Sequence, residues 1–399
     1  MKIEIHLLQN FAPSCLNRDD TGSPKQCEFG GVTRARISSQ CFKRAVREHF
    51  RMTGSVEVGE RTKRLKQTLI PRVSTPGRDV EVVSAALDIF LDACYSKMDN
   101  KRNGDTAVLL YLAAPEIDEA AVCFDEHWGT LSELAQVRLG KLKTIEGETD
   151  KKRIADAKKQ ADAVEFKPDK ALLKRLRTAG LSPDVALFGR MLAEQPEMNV
   201  DASCQVAHAL STHGVSYDMD FYTAVDDLNP EGATGAGMMG HSGFNSACLY
   251  RYALVDVDQL SDEKHLRTPD SARTAVRAFL EAFVHSIPTG KQNSMAAHNP
   301  PEFGMFVVRD GGVPVSLANA FAKPVTGGEN EDLIGNSVEK LANHWKLITG
   351  VYGEDGVSTK TLFHLGYGGQ LGELNDLDAG SLRNAINKVM AAVNTESAE

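Results

Sequence analysis

Hydrophobic residues are spaced in two different ways along this chain, and the switch between them limits the folds open to it. At the start, "KIEIHLL" sets Ile3, Ile5 and Leu7 on one side and Glu4 and His6 on the other, the period of two expected of a half-buried strand. Near the far end, "ACLYRYALVDV" and "FGMFVVRDG" read as strands, with "DSARTAVRAFLEAFVHSI" as a helix between them. From about residue 60 to 190 the spacing is mostly helical, as in "EVVSAALDIFLDACY", "FDEHWGTLSELAQVRLGKL" and "KPDKALLKRLR". Strand–helix at the start and strand–helix–strand near the end predict an α+β chain with a split βαβ, ferredoxin-like core, interrupted by a helical insertion. "ASCQVAHALSTH" is expected to be amphipathic and helical. With 42% hydrophobic and 25% charged residues the chain has the composition of a protein that folds.

Between the first strand and the first helix runs "SCLNRDDTGSPKQCEFGGVTRARISSQCFKRAVR", Ser14 to Arg47, a polar loop leading into a basic helix. Ser38 or Ser39 suits the N-cap. Cys41, Phe42, Ala45, Val46 and Phe50 repeat at helical spacing, while Lys43, Arg44, Arg47 and Arg51 fall on the opposite face. The whole chain carries a net charge of -9, yet from Thr33 to Arg72 eleven lysines and arginines face three acids. A wholly cationic nucleic-acid binder is excluded; a local basic patch on an acidic body is not. The helix start, with free backbone N–H groups and two serine hydroxyls, suits a phosphate, and Arg18, Lys25, Lys43, Arg44 and Arg47 can surround it. A solvated helical face accounts for the same letters.

The stretch from "GVSYDMDFYTAV" to "GAGMMGHSGFN" is rich in glycine and aspartate with aromatics at its start. A loop of that length in a compact domain is functional or disordered. Its aromatics can stack on bases; two buried rings are the plain alternative. "GAGMMG" satisfies the dinucleotide fingerprint but lacks a strand before and a helix after it, and so reads as a flexible tip. "GYGGQLGE" reads as a tight turn.

Catalytic and metal signatures are weak. Seven cysteines, odd in number and never spaced as CxxC, read as reduced thiols. His208 and His213 stand five apart, one step off the spacing that places two ligands on one helical face. No nucleophile elbow occurs. The expectation is no catalytic site, no metal and no cofactor. The start lacks a signal-peptide block and "AVLLYLAA" is too short to span a bilayer, so a cytoplasmic protein with no membrane partner is expected.

The run Ser14–Arg47, together with "VALFGRM", "DFYTAVDDL", "GKQNSMAAHNP" and "PVSLANAF" in that order, resembles the backbone subunit of the type I-E CRISPR surveillance complex Cascade, the CasC family of the RAMP superfamily. The resemblance implies a non-catalytic RNA-binding subunit of antiviral defence with an RRM-like palm (1–59, 191–214 and 245–399), a helical fingers domain (60–190) and a thumb (215–244). Its copies would polymerise along one CRISPR RNA beside other Cascade subunits and present the spacer to target DNA. Carried over by position, Arg18, Lys25, Ser38, Gln40, Lys43, Arg44 and Arg47 would grip the RNA. Arg190 and Met191 would sit in the palm with the methionine as a wedge, although without the resemblance core packing is the preferred reading of this methionine. Phe221, Tyr222, Thr223 and Val225 would lie at the thumb base against RNA, with Phe221-Tyr222 standing where the family often shows tryptophan then phenylalanine. Lys170 and Lys174 would touch target DNA, though Ala171 stands where a further lysine is expected. Lys291 in "GKQ" falls in a matching segment without a role. The alternative is a metal-independent CRISPR endoribonuclease using His6 as base; a metal-dependent hydrolase on His208, His213 and His241 is a third reading.

Overall fold

A computed structural model describes residues 1–99, 104–145, 148–192, 195–224, 227–228, 238–327 and 331–394. The chain opens with strands β1 (Lys2–Ser14), β2 (Gln26–Phe29) and β3 (Val32–Ile37) and helix α1 (Ser39–Thr53). The middle holds β4 (Glu60–Thr62), α2 (Leu65–Val73), α3 (Val80–Cys94), β5 (Leu110–Leu112), α4 (Ala114–Glu126), α5 (Trp128–Lys143), α6 (Lys151–Asp162), α7 (Lys170–Arg177) and α8 (Pro183–Phe188). Then come β6 (Cys204–Val206), β7 (Ala209–Ser211), β8 (Asp218–Ala224), β9 (Met238–Asp256), α9 (Val257–Ser261), α10 (Pro269–His285) and α11 (Gln292–Met295). The chain closes with β10 (Phe303–Arg309), α12 (Leu333–Tyr352), β11 (Val357–His364), α13 (Gly368–Leu371) and α14 (Leu382–Asn394).

Two units result. The first comprises Met1–Ser55, Ser203–Ser261 and Pro269–Glu399, and the second Val56–Ala202 with Asp262–Thr268. Residues 191–202 thus belong with the helical insertion.

The first unit is built on an antiparallel sheet of order β11-β10-β1-β9-β7-β3-β2, with β6 and β8 also paired to β9. β1 lies inside it, between β10 and β9, with Ile5 opposite Phe306 of β10 and Ala253 of β9. Its alternation is real but does not separate core from solvent. Ile3, Ile5 and Leu7 are buried, and so are Glu4 and His6. Burying those two polar side chains requires partners: Glu4 Oε1 accepts from Arg309 Nε and from the Val315 N–H, both at 2.8 Å, and His6 Nδ1 lies 2.8 Å from the Tyr250 hydroxyl. Leu8, Phe303, Met305, Val307 and Leu362 pack with Trp345 of α12. Phe11, Ala35, Ile37, Ala209 and Leu249 pack with Phe42 of α1.

In the second unit α2, α3, α4, α5 and α7 contribute to a core containing Phe90, Tyr95, Phe124 and Leu112, and β4 pairs with β5. The helical spacing read there holds. Elsewhere the structure departs from the sequence reading. "ASCQVAHALSTH" is not helical but supplies β6 and β7, because both dock on β9, at Cys204↔Val255 and Leu210↔Tyr250. The polar run after β1 contains the β2–β3 hairpin. "GYGGQLGE" forms a short helical segment, α13. The described part of "GAGMMG", residues 238–240, is strand; residues 235–237 lie outside the described residues. Among the described residues no helix is long and apolar enough to cross a membrane.

Candidate nucleic-acid interface

α1 is capped by Ser38, whose hydroxyl accepts the Cys41 N–H at 3.4 Å while its own N–H donates to Asn17 Oδ1 at 2.9 Å. Ser38 is buried. The hydroxyl expected to meet a phosphate also caps the helix, as an acceptor, with its own O–H left to donate. Ser39 and Gln40 follow, half-buried and exposed. Of the basic residues on α1, Arg44 is exposed and Lys43 half-buried, but Arg47 is only 6% exposed and lies on the packed side with Phe42, Val46 and Phe50. Its assignment to an open cationic face does not hold: the packed stripe is wider than the apolar letters suggested.

Three titratable groups report which cations gather around this helix. Burial pushes the Cys41 thiol up, while Arg44 and Lys25 pull it the other way. Burial likewise raises the Cys15 thiol against Arg18 and Lys291. His208 is held below its ordinary value by burial first and then by Arg36 and Lys25, and its Nδ1 lies 2.9 Å from Arg36 Nη1. Lys25 and Arg36 line one cavity and Arg18 and Arg44 the next, the two sharing Leu16 and Asn17, with Lys291 following Gly290 at the edge of the second. The second is also lined by Asp19, Asp20 and Glu48, so its field is mixed. Its far wall, Pro288–Gly290, comes so close to the end of β1 that a Cβ on Gly290 would stand 2.4 Å from the Leu16 carbonyl oxygen. Only glycine fits that approach. Sequence reading gave Arg36 and Lys291 no site role and weighed His208 only as a metal ligand; the Arg36–His208 pairing was not visible because 172 residues separate them.

The glycine- and aspartate-rich stretch is not a loop where described: β8 pairs with the first third of β9, from Asp218↔Phe244 to Ala224↔Met238. Alternation gives this ribbon two unlike faces. Met219, Phe221 and Thr223 share one with Met239, His241 and Gly243; Asp218, Asp220, Tyr222 and Ala224 share the other with Met238, Gly240, Ser242 and Phe244, so both carboxylates lie on the second. Phe221 and Tyr222 are 55% and 42% exposed and point to opposite sides, so the alternative of two buried rings falls. The Phe221 and His241 rings lie 5.2 Å apart. Val225 lies outside the described residues.

Arg190, Met191, Lys170 and Lys174 are in the second unit. Arg190 is buried, with Nη1 2.8 Å from Glu116 Oε1, Nη1 also donating to the Tyr111 carbonyl and Nε to the Met198 carbonyl at 2.9 Å. It is a structural arginine with no surface to offer RNA. Burial raises the Glu116 carboxyl even with Arg190 beside it. Met191 is 85% exposed, which removes core packing as its explanation. Lys170 and Lys174 are exposed on α7, which Asp169 caps by accepting the Leu172 N–H at 2.7 Å.

Residues 3–388 match the family model described as CT1975-like protein. The chain belongs to the CT1975-like protein family. A chain of a solved structure titled "CRISPR RNA-guided surveillance complex, pre-nicking" is 31% identical to this CT1975-like chain, with TM-score 0.79, covering 98% of this chain and 100% of that one. A chain of a second, "CRISPR RNA-guided surveillance complex", is 26% identical with TM-score 0.70 over the same shares. No curated protein sequence matches. In this CT1975-like protein His6 is fully buried, and among the described residues no three His, Cys, Asp or Glu side chains are grouped to hold a metal ion.

Proposed function

We propose that this CT1975-like protein is a non-catalytic backbone subunit of a type I-E Cascade complex, in which several copies polymerise along one CRISPR RNA in the cytoplasm, beside other subunits, and present the spacer to target DNA. The first unit would be the RRM-like palm, the β8–β9 ribbon the thumb and the second unit the fingers, with Lys170 and Lys174 toward DNA and Met191 as a wedge. The observation that carries this reading is the pair of adjoining clefts lined by Lys25 and Arg36 and by Arg18 and Arg44, on a chain of net charge -9. Full-length likeness to chains of CRISPR RNA-guided surveillance complexes supports it. Such cations hold phosphates without reading bases.

A metal-independent endoribonuclease on His6 is less well supported. A general base must lie within hydrogen-bond reach of its substrate, and His6 is enclosed between Glu4 and Tyr250.

The test is to mix the purified chain with a repeat–spacer RNA and follow size-exclusion profile, salt dependence and RNA integrity. Assembly that grows with RNA length, weakens steeply with salt, ignores spacer scrambling and leaves the RNA intact is expected. Absence of binding, or cleavage abolished by His6→Ala, overturns the proposal.

A further inference from the structure

The ribbon and the loop bearing Arg18 and Lys25 are joined by one side chain. Tyr217 stands just before β8, in phase with Met219 and Phe221. Its ring lies across the opposite strand at Gly243, where a Cβ would come 2.1 Å from the tyrosine oxygen and 2.4 Å from Cε2. Its hydroxyl lies 3.3 Å from Ser23 Oγ. Ser23 belongs to a loop that holds its own shape: Asp19 Oδ1 accepts the Thr21 and Ser23 N–H groups at 2.9 Å, and the Lys25 N–H donates to the Asn17 carbonyl at 2.9 Å.

Tyr217 reaches this loop from the face it shares with Met219 and Phe221. That face, which carries no carboxylate, therefore turns toward the loop at Tyr217, while Asp218, Asp220 and Tyr222 turn away. The arrangement suits one nucleotide of a single strand: Arg18 and Lys25 for its phosphate on a loop that also carries Asp19 and Asp20, an aromatic ring for its base on the ribbon, and the ribbon's own carboxylates, Asp218 and Asp220, on its far side.

Resting on the function proposed above, we propose that Tyr217 is a positioning residue that sets the spacing between ribbon and loop, so that an RNA phosphate meets Arg18 and Lys25 while its base lies against Phe221. Gly243 is the seat that lets the tyrosine ring lie flat.

The experiment uses the full chain and a single-stranded RNA carrying 2-aminopurine, with affinity read by anisotropy, stacking by quenching and folding by thermal melt. Tyr217→Phe keeps the ring and drops the hydroxyl, and is expected to weaken binding about threefold to tenfold. Tyr217→Ala and Gly243→Ala are expected to weaken it further and to relieve the quenching as Phe221→Ala does, and Tyr217→Ala added to Phe221→Ala should relieve no more. Wild-type affinity and quenching in Tyr217→Ala with an unchanged melt overturns the inference. If that variant melts early, Tyr217→Phe decides, and wild-type binding by it overturns the inference equally. A wild-type chain that binds no RNA fails the function itself; one that binds regardless of Tyr217 fails this inference alone.

Discussion

Arg190 Nη1 lies 2.8 Å from both oxygens of Glu116, with the two side chains 2% and 0% exposed. Removing one partner of such a pair strands the other's charge away from water, at a cost of about 3–5 kcal/mol. Arg190→Ala is thus expected to lower the melting temperature of the protein sharply, and its RNA binding only in proportion to unfolding. Met191→Ala next door should leave the melt unchanged and weaken RNA binding. Melts and titrations of the two variants check the contrast; equal melts overturn it.

Arg44 and Arg47, three apart on α1, should divide in the same way. Arg44→Gln is expected to leave stability alone and reduce the slope of log affinity against log salt by about one, the signature of one lost phosphate contact. Arg47→Gln should lower the melting temperature instead, because its side chain is buried. A salt titration beside a melt separates them.

The opposed orientation of Phe221 and Tyr222 yields an unequal pair of effects. Truncating Phe221 to alanine should cost RNA binding about 1–3 kcal/mol, the worth of one stacked base. Tyr222→Ala should cost little, since its ring lies over Gly240 on the acidic face. Equal losses measured by anisotropy would show that both faces meet RNA.

His213 gives the protein a pH dependence. Its Nε2 accepts the Cys248 N–H at 3.2 Å, and its Nδ1 lies 2.8 Å from the Gly214 carbonyl. The ring is neutral in this arrangement, and burial, with Arg34 nearby, holds its pKa below the ordinary 6.5 despite the Gly214 bond. A depressed folded value means the unfolded chain takes up the proton first. Stability is therefore full above about 6.5 and falls as pH drops toward the folded value. Melting temperature should decline between pH of about 7.5 and about 5.5, and less so in His213→Asn. An identical decline in that variant counts against the assignment.

β1, α10, β10 and the second half of β9 were legible because each carries a long, regular period. β6 and β7 were not: each is three residues long, and their reason for being strands lies in partners on β9. β8 hid for the opposite reason. It is exposed throughout, so no buried face imposes an alternation on its letters. The basic character of α1 could be read directly, but the burial of Arg47 could not, because packing around a helix depends on what covers it. Arg190 was misplaced because its partner Glu116 is 74 residues away. Lys291 was visible in sequence, yet its company with Arg18 arises only where the Gly290 segment closes on β1.

β9 runs unbroken for 19 residues, from the ribbon into the centre of the sheet. The ribbon is accordingly a cantilever rather than a hinged arm: a load on its free end becomes torque on the strand beside β1 instead of rotation at a joint. Pulled from the tip, β8 would unzip from β9 rung by rung before any sheet strand yields. Single-molecule traces should then show small early extensions followed by one large, late rupture.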